Sequence, residues 1–205
     1  VKVPVGVLIS GRGSNMESLV QAAAEPGFPA EIRVVVSNRP EAPGLAIARD
    51  LGVQAVAVDH RDFGRDRAAH ERAVDAVLRA RGVRVVCLAG YMRLLTPWFV
   101  AAWEGRMLNI HPSLLPALPG LDTHTRAIAA GMREHGCTVH LVTDVMDAGP
   151  VLAQARVPVL AGDDAGALAA RVLAEEHKLY PAALRGFLEG RIHASERTPT
   201  RHQSH

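Results

Sequence analysis

The sequence predicts an α/β protein, a doubly wound and mostly parallel sheet with an antiparallel strand and a long helix towards its C-terminal end. Three observations predict it. Short β-branched runs alternate with Ala-, Arg- and Leu-rich stretches of helical length, the order expected of strand–helix–strand units. The runs are continuously apolar rather than alternating, as strands covered by helices on both faces are. Gly52 and Gly82 stand where two of the helices would end before the next strand begins.

Taken in order, "VPVGVLIS" (3–10), "EIRVVVSN" (31–38), "VQAVAVD" (53–59) and "VRVVCLAG" (83–90) are the first four strands. Helices are expected at 14–25, 43–51 and 66–81. In the last of these, Ala69, Ala73, Ala76, Val77 and Ala80 fall on one side, which is the expected core face. "MLNIH" (107–111) is a fifth strand, 124–131 a helix and "CTVHLVTD" (137–144) a sixth strand. A tight "DAGP" turn (147–150) leads into "VLAQARVPVL" (151–160) as its antiparallel partner. A long helix follows at 164–189, which Pro181 is expected to break or kink. Residues 1–192 are expected to form one domain. The polar stretch "ERTPTRHQSH" has no periodicity, and 193–205 is expected to be a disordered tail.

Composition narrows the function. A chain of 205 residues, 48% hydrophobic and 21% charged, with a net charge of +2, has the makeup of a soluble globular domain. Its arginines are scattered rather than gathered in a stripe, so nucleic acid is not an expected partner. No run approaches the roughly 18 apolar residues of a membrane span, and no membrane partner is expected. The first apolar run ends in Gly-Arg-Gly, so it reads as a strand rather than a signal peptide, and a cytoplasmic location is expected. Cys87 and Cys137 lie in apolar runs as small buried hydrophobes. No His/Cys cluster suggests a metal, since His193, His202 and His205 lie towards or in the tail.

Two stretches carry chemistry. In "ISGRGSN" (9–15), Gly11 and Gly13 permit a tight turn and close approach by a ligand. The amides around Gly13, Ser14 and Asn15 open a helix, whose N-terminal end favours an anion, with phosphate the natural guest. The alternative is a glycine-rich connection in which Ser14 merely caps the helix. Met16 replaces the third glycine of a dinucleotide fingerprint, and the P-loop lysine is missing. The second strand ends in Ser37 and Asn38 rather than an acid, which speaks against a nicotinamide cofactor. In "RMLNIHPSLLPALPG" (106–120), Asn109 and His111 are two apart on a strand, so they share a face at its C-terminal end, where open α/β sheets hold ligands. An amide that cannot ionise beside an imidazole that carries a proton near neutral pH suits a tetrahedral oxyanion. The three prolines would stiffen that geometry. A strand-end histidine can equally be a structural hydrogen-bonder, so a third member decides. Asp147 lies just past the sixth strand. If the fifth and sixth strands end together, it would bond His111, favour the charged ring and relay a proton through water.

The stretches "ISGRGSN", "LAGYMRLL", "LNIHPSLLPALPG" and "HGCTVHLVTDVMDAGPVLAQARVPV", followed by "EEHKLYP", occur in the order and over the length found in the phosphoribosylglycinamide (GAR) formyltransferases, the folate-dependent enzymes of purine synthesis, which this sequence resembles. "HPSLLP" with "D-x-GP" marks the wider class that uses formyl-tetrahydrofolate, and "GRGSN" narrows it. The resemblance implies a Rossmann-like formyltransferase fold and formyl transfer from 10-formyltetrahydrofolate to the GAR amine. The folate is then a co-substrate, with no tightly bound cofactor. Asn109, His111 and Asp147 match the family's catalytic trio. Gly13, Ser14 and Asn15 match its loop for the GAR phosphate, and Glu176 a carboxylate that contacts GAR. Met92, Arg93, Leu94 and Leu95 match the folate-lining segment, with Asn109, Thr143, Asp144 and Asp147 facing it. The family also has a folate-contacting arginine after the third strand; Arg65 and Arg67 are both candidates, with Arg65 favoured. Asp122 departs from members that have histidine there, while His124 is retained. The implied partners are those two small molecules, and the implied assembly is a monomer or homodimer. Two other readings stay open: a formyltetrahydrofolate deformylase, using the same trio with water as nucleophile, and a non-catalytic nucleotide-binding module.

Overall fold

The computed structural model describes residues 1–192, and the tail expected to be disordered lies outside them. The chain runs through β1 (Val3–Ile9), α1 (Ser14–Ala23), β2 (Ala30–Ser37), α2 (Pro43–Asp50), β3 (Ala55–Ala57), α3 (Arg67–Ala80), β4 (Val85–Leu88), α4 (Pro97–Ala102), β5 (Met107–His111), α5 (Thr123–Ala129), β6 (Glu134–Leu141), β7 (Val151–Pro158) and α6 (Ala165–Leu188). The strands form one sheet in the order β3-β2-β1-β4-β5-β6-β7. From β3 to β5 all neighbours are parallel. β6 runs antiparallel to both β5 and β7, so the partnership of β6 with β7 is as expected and that with β5 is an addition. Chain order reverses between β1 and β4, which opens a crevice at the carboxyl ends of those strands.

Helices cover both faces. On one, Val5, Val7 and Ile9 pack with Met16 and Leu19 of α1 and with Tyr180 and Leu184 of α6. On the other, Leu8, Val34 and Val36 pack with Leu78 of α3 and with Phe99 and Trp103 in and just after α4. Alternate residues of one strand thus reach opposite layers, and the strand must be apolar throughout. Gly52 and Gly82, at φ +81° and +67°, end α2 and α3 as expected.

Four details differ from the sequence reading. The buried face of α3 is His70, Glu71, Val74, Asp75 and Leu78, not the alanine face. The polar members are buried because each finds a partner. Glu71 accepts from the amide and hydroxyl of Thr96, and Asp75 accepts from the Trp103 indole. α4 was not legible: six residues are too few to show a helical period. β6 begins three residues earlier than expected and ends at Leu141, because pairing with β7 recruits the polar Glu134 and His135. α6 continues unbroken through Pro181. Tyr180, Ala183 and Leu184 are buried on either side of the proline, and their burial outweighs its helix penalty of about 3 kcal/mol.

Two glycines position the loops above the sheet by close backbone approach. A Cβ on Gly44 would lie 2.7 Å from the Arg12 carbonyl oxygen, so the start of α2 supports the turn after β1. A Cβ on Gly149 would overlap the Leu141 carbonyl oxygen, so the 142–150 loop folds back tightly against the end of β6.

Candidate active site

Two clefts meet at the carboxyl edge of the sheet, with volumes of about 480 and 440 Å³. They share a wall formed by Tyr91, Met92, Asn109, Gly120 and Leu121. The first cleft receives Met92, Arg93, Leu94 and Leu95 on one side and Thr143, Asp144 and Asp147 on the other, all expected from the sequence. The second receives Asn15 and Glu176 together with Asp122 and His124, whereas Gly13 and Ser14, expected with Asn15, line neither cleft. Arg65 is exposed on the turn before α3 and lines neither cleft, and neighbouring Arg67 is likewise exposed and outside both.

Asn109, His111 and Asp147 converge. The His111 Nδ1 lies 3.5 Å from an Asp147 carboxylate oxygen, with both side chains 8% exposed. That distance is within ion-pair reach but longer than an ideal hydrogen bond. The other Asp147 oxygen accepts from the Gly120 amide at 2.8 Å. On the far side of the ring, His111 Nε2 donates to the Leu118 carbonyl at 3.0 Å. Both ring nitrogens therefore face acceptors. Leu118 and Asp147 each hold positive φ, as does Asp122, so three non-glycine residues in a costly backbone conformation ring the same site. His111 shares a strand face with Asn109, but only Asn109 and Asp147 line a cleft.

Asn109 has a partner that sequence reasoning missed. Antiparallel pairing sets His140 directly opposite it. His140 Nδ1 donates to the Leu141 carbonyl at 3.1 Å, and its Nε2 lies 3.5 Å from the Asn109 amide nitrogen. One N–H of Asn109 is thereby turned towards His140, and its second N–H is available to the cleft. The signal for His140 was the direction of β6, which the sequence left unassigned relative to β5.

At the turn after β1, Gly13 takes φ +67° and Ser14 is the first residue of α1 rather than its cap. The first-turn amides that follow have no intrahelical acceptors. Asn15, 8% exposed, donates to the Glu176 carboxylate at 3.1 Å, and its own carbonyl oxygen has no hydrogen-bond partner. Burial pushes the Glu176 carboxyl above the usual range, and the Asn15 bond partly opposes this. Asn38, in the sequence only a non-acidic strand end, has a different use. The Met92 amide donates to Ser10 Oγ at 2.8 Å, and Ser10 in turn donates to Asn38 Oδ1. Where a dinucleotide enzyme would hold a ribose, this chain buttresses the segment shared by the two clefts. Burial pushes the Cys87 and Cys137 thiols up to about 12, so they are inert. Among the described residues no group of three or more His, Cys, Asp or Glu side chains could hold a metal, and no helix is long and apolar enough to cross a membrane.

Behind His111, His124 Nδ1 and His135 Nε2 are 3.1 Å apart. Burial, then His124 and then His111, push the His135 ring down to about 4. The unfolded chain, whose histidines titrate near 6.5, thus takes up this proton first as pH falls. Stability is intact above about 6.5 and is lost as pH falls towards 4. Urea unfolding at pH 7.5 and pH 5 should show wild type losing about 1–2 kcal/mol more than His135→Asn; equal losses would remove His135 as the cause.

A mostly parallel α/β sheet whose switch-point crevice divides into two clefts, with Asn109 in their common wall, is the architecture of an enzyme that brings two substrates together for group transfer. Residues 3–184 match the formyl transferase family model, and the chain belongs to that family. It is 44% identical over 190 residues to the phosphoribosylglycinamide formyltransferase of Escherichia coli, covering 93% of this chain and 89% of that one. It is also 44% identical to part of the trifunctional purine biosynthetic protein adenosine-3 of Gallus gallus, over 95% of this chain but only 19% of that protein's length. Among solved structures, phosphoribosylglycinamide formyltransferase from Brucella melitensis is 54% identical with a TM-score of 0.89, covering 95% of this chain and all of that one. Glycinamide ribonucleotide transformylase 1 from Symbiobacterium toebii is 46% identical with a TM-score of 0.91, covering 96% and 92%.

Proposed function

We propose that residues 1–192 form a domain that transfers the formyl group of 10-formyltetrahydrofolate to the amine of GAR, giving formyl-GAR and tetrahydrofolate in purine synthesis. The observation that carries this reading is the placement of Asn109 in the wall common to two clefts, with His111 and Asp147 beside it. The folate occupies the first cleft, between the Met92–Leu95 segment and the Thr143–Asp147 loop. GAR occupies the second, with its phosphate at the Gly13–Asn15 turn and its glycinamide end towards Glu176.

The GAR amine attacks the formyl carbon, and the carbonyl oxygen becomes an oxyanion. The free N–H of Asn109 donates to it, and one such donor lowers a barrier by about 3 kcal/mol. His111 supplies the second donor. In the structure Nε2 is engaged by the Leu118 carbonyl, so the ring must exchange that acceptor for the oxyanion during the reaction. Asp147 keeps an anionic acceptor at Nδ1 throughout. As the bond from the formyl carbon to the folate nitrogen breaks, the proton leaving the amine passes to that nitrogen, through water beside Asp147 and His111. Holding two substrates against one wall supplies much of the remaining acceleration.

A deformylase would need only the folate cleft and a water. The second cleft, with a buried carboxylate and an unpaired amide oxygen at its wall, favours an amine-bearing second substrate. Purified protein should consume 10-formyltetrahydrofolate only when GAR is present, with formyl-GAR as product. Release of formate without GAR would replace the transfer reading with the hydrolytic one.

A further inference from the structure

The sequence stretch "EEHKLYP" supplies Glu176 to the second cleft, but it also carries a tyrosine that the reaction does not use. Tyr180 lies four residues further along α6, on the same helix face as Glu176. It is fully buried, and its hydroxyl lies 2.9 Å from the Leu88 carbonyl oxygen and 3.1 Å from that of Leu108. A phenol has one proton to donate, so the two carbonyls share it. Burial raises the phenol well above its ordinary value, which keeps that proton in place.

The two carbonyls mark a fork. Leu88 and Asn109 are the last register pair of β4 and β5. Beyond it the β4 chain follows β1, through the Ala89 amide bonded to Leu8, turns at Gly90 with φ +70° and reaches Met92. The β5 chain instead continues through Asn109 to His111, paired with β6. Met92 and Asn109, both in the shared wall, therefore sit on separate branches.

We infer that Tyr180 is a positioning residue for formyl transfer: its hydroxyl, bonded to both branches at the fork, fixes Asn109 relative to the Met92 segment and so aligns the two substrates. The inference rests on Asn109 lying at the reacting centre. A tyrosine that merely filled the core would contribute stability and nothing else.

Tyr180→Phe keeps the ring and its volume and removes only the strut. Steady-state rates are measured well below the unfolding midpoint, with Val172→Ala as a control that thins the same helix's packing away from the fork. Tyr180→Phe should lower kcat about tenfold or more, since sub-ångström to ångström misplacement costs that much, with KM for both substrates within about threefold. Val172→Ala should keep kcat within about twofold. A Tyr180→Phe kcat near wild type, a loss confined to KM, or an equal loss of kcat in Val172→Ala would each overturn the inference. Asn109→Ala, assayed alongside, separates the two ideas. If it loses turnover while Tyr180→Phe does not, only the role of Tyr180 falls; if it retains turnover, the reading of Asn109 falls and this inference with it.

Discussion

Asn109→Ala is expected to lower kcat by about two to three orders of magnitude, the cost of one oxyanion donor in a water-poor site. The substitution removes a half-buried amide from the middle of β5, at the one position of that strand that is not buried, so the unfolding midpoint should move little. KM for either substrate should change far less than kcat, because the donor works on a charge that develops only in the transition state. Steady-state kinetics with both substrates varied, beside a thermal melt, check this. A variant with kcat within threefold of wild type would take Asn109 out of the chemistry.

Asp147→Asn is the second large effect, and the sharper one because the shape is preserved. A carboxamide oxygen can still accept from the Gly120 amide, so the contact that ties the loop to the Pro119–Gly120 turn survives. What disappears is the negative charge 3.5 Å from His111 Nδ1. Losing that support for proton movement is expected to cost kcat about 10²- to 10⁴-fold. Single-turnover rates isolate the step from product release. If the transfer step ran at a wild-type rate, Asp147 would be a loop anchor alone.

Much of this arrangement was legible in the residues. Continuous apolar runs named the strands and their parallel pairing, and the spacing of Asn109 and His111 named a shared face. The approach of Asp147 to His111 was expected if the two strands ended together; they run antiparallel, with Leu141 opposite Leu108 and His111 opposite Thr138, and it is the loop after β6, folded back against its end, that brings Asp147 to His111. What escaped was long-range pairing. The face of α3 was misread because alanines look like core, whereas Glu71 and Asp75 become buried only through Thr96 and Trp103, 25 and 28 residues away. His140 was invisible until β6 was known to run against β5. Ser10 and Asn38 become meaningful only once the Met92 segment lies above them. Local pattern carries the elements and the residue types a reaction needs. It does not carry which polar group meets which across the sheet, since that depends on topology.

The fit of Gly149 against the Leu141 carbonyl separates two properties that a mutational survey would merge. Even alanine has no room at that position, so every replacement must pry the loop off the strand end and carry Asp147 away with it. Position 149 would then score as intolerantly as position 147, although a residue without a side chain can touch no substrate by one. Sensitivity to replacement there measures how closely the scaffold is tailored, and the chemistry happens two residues earlier.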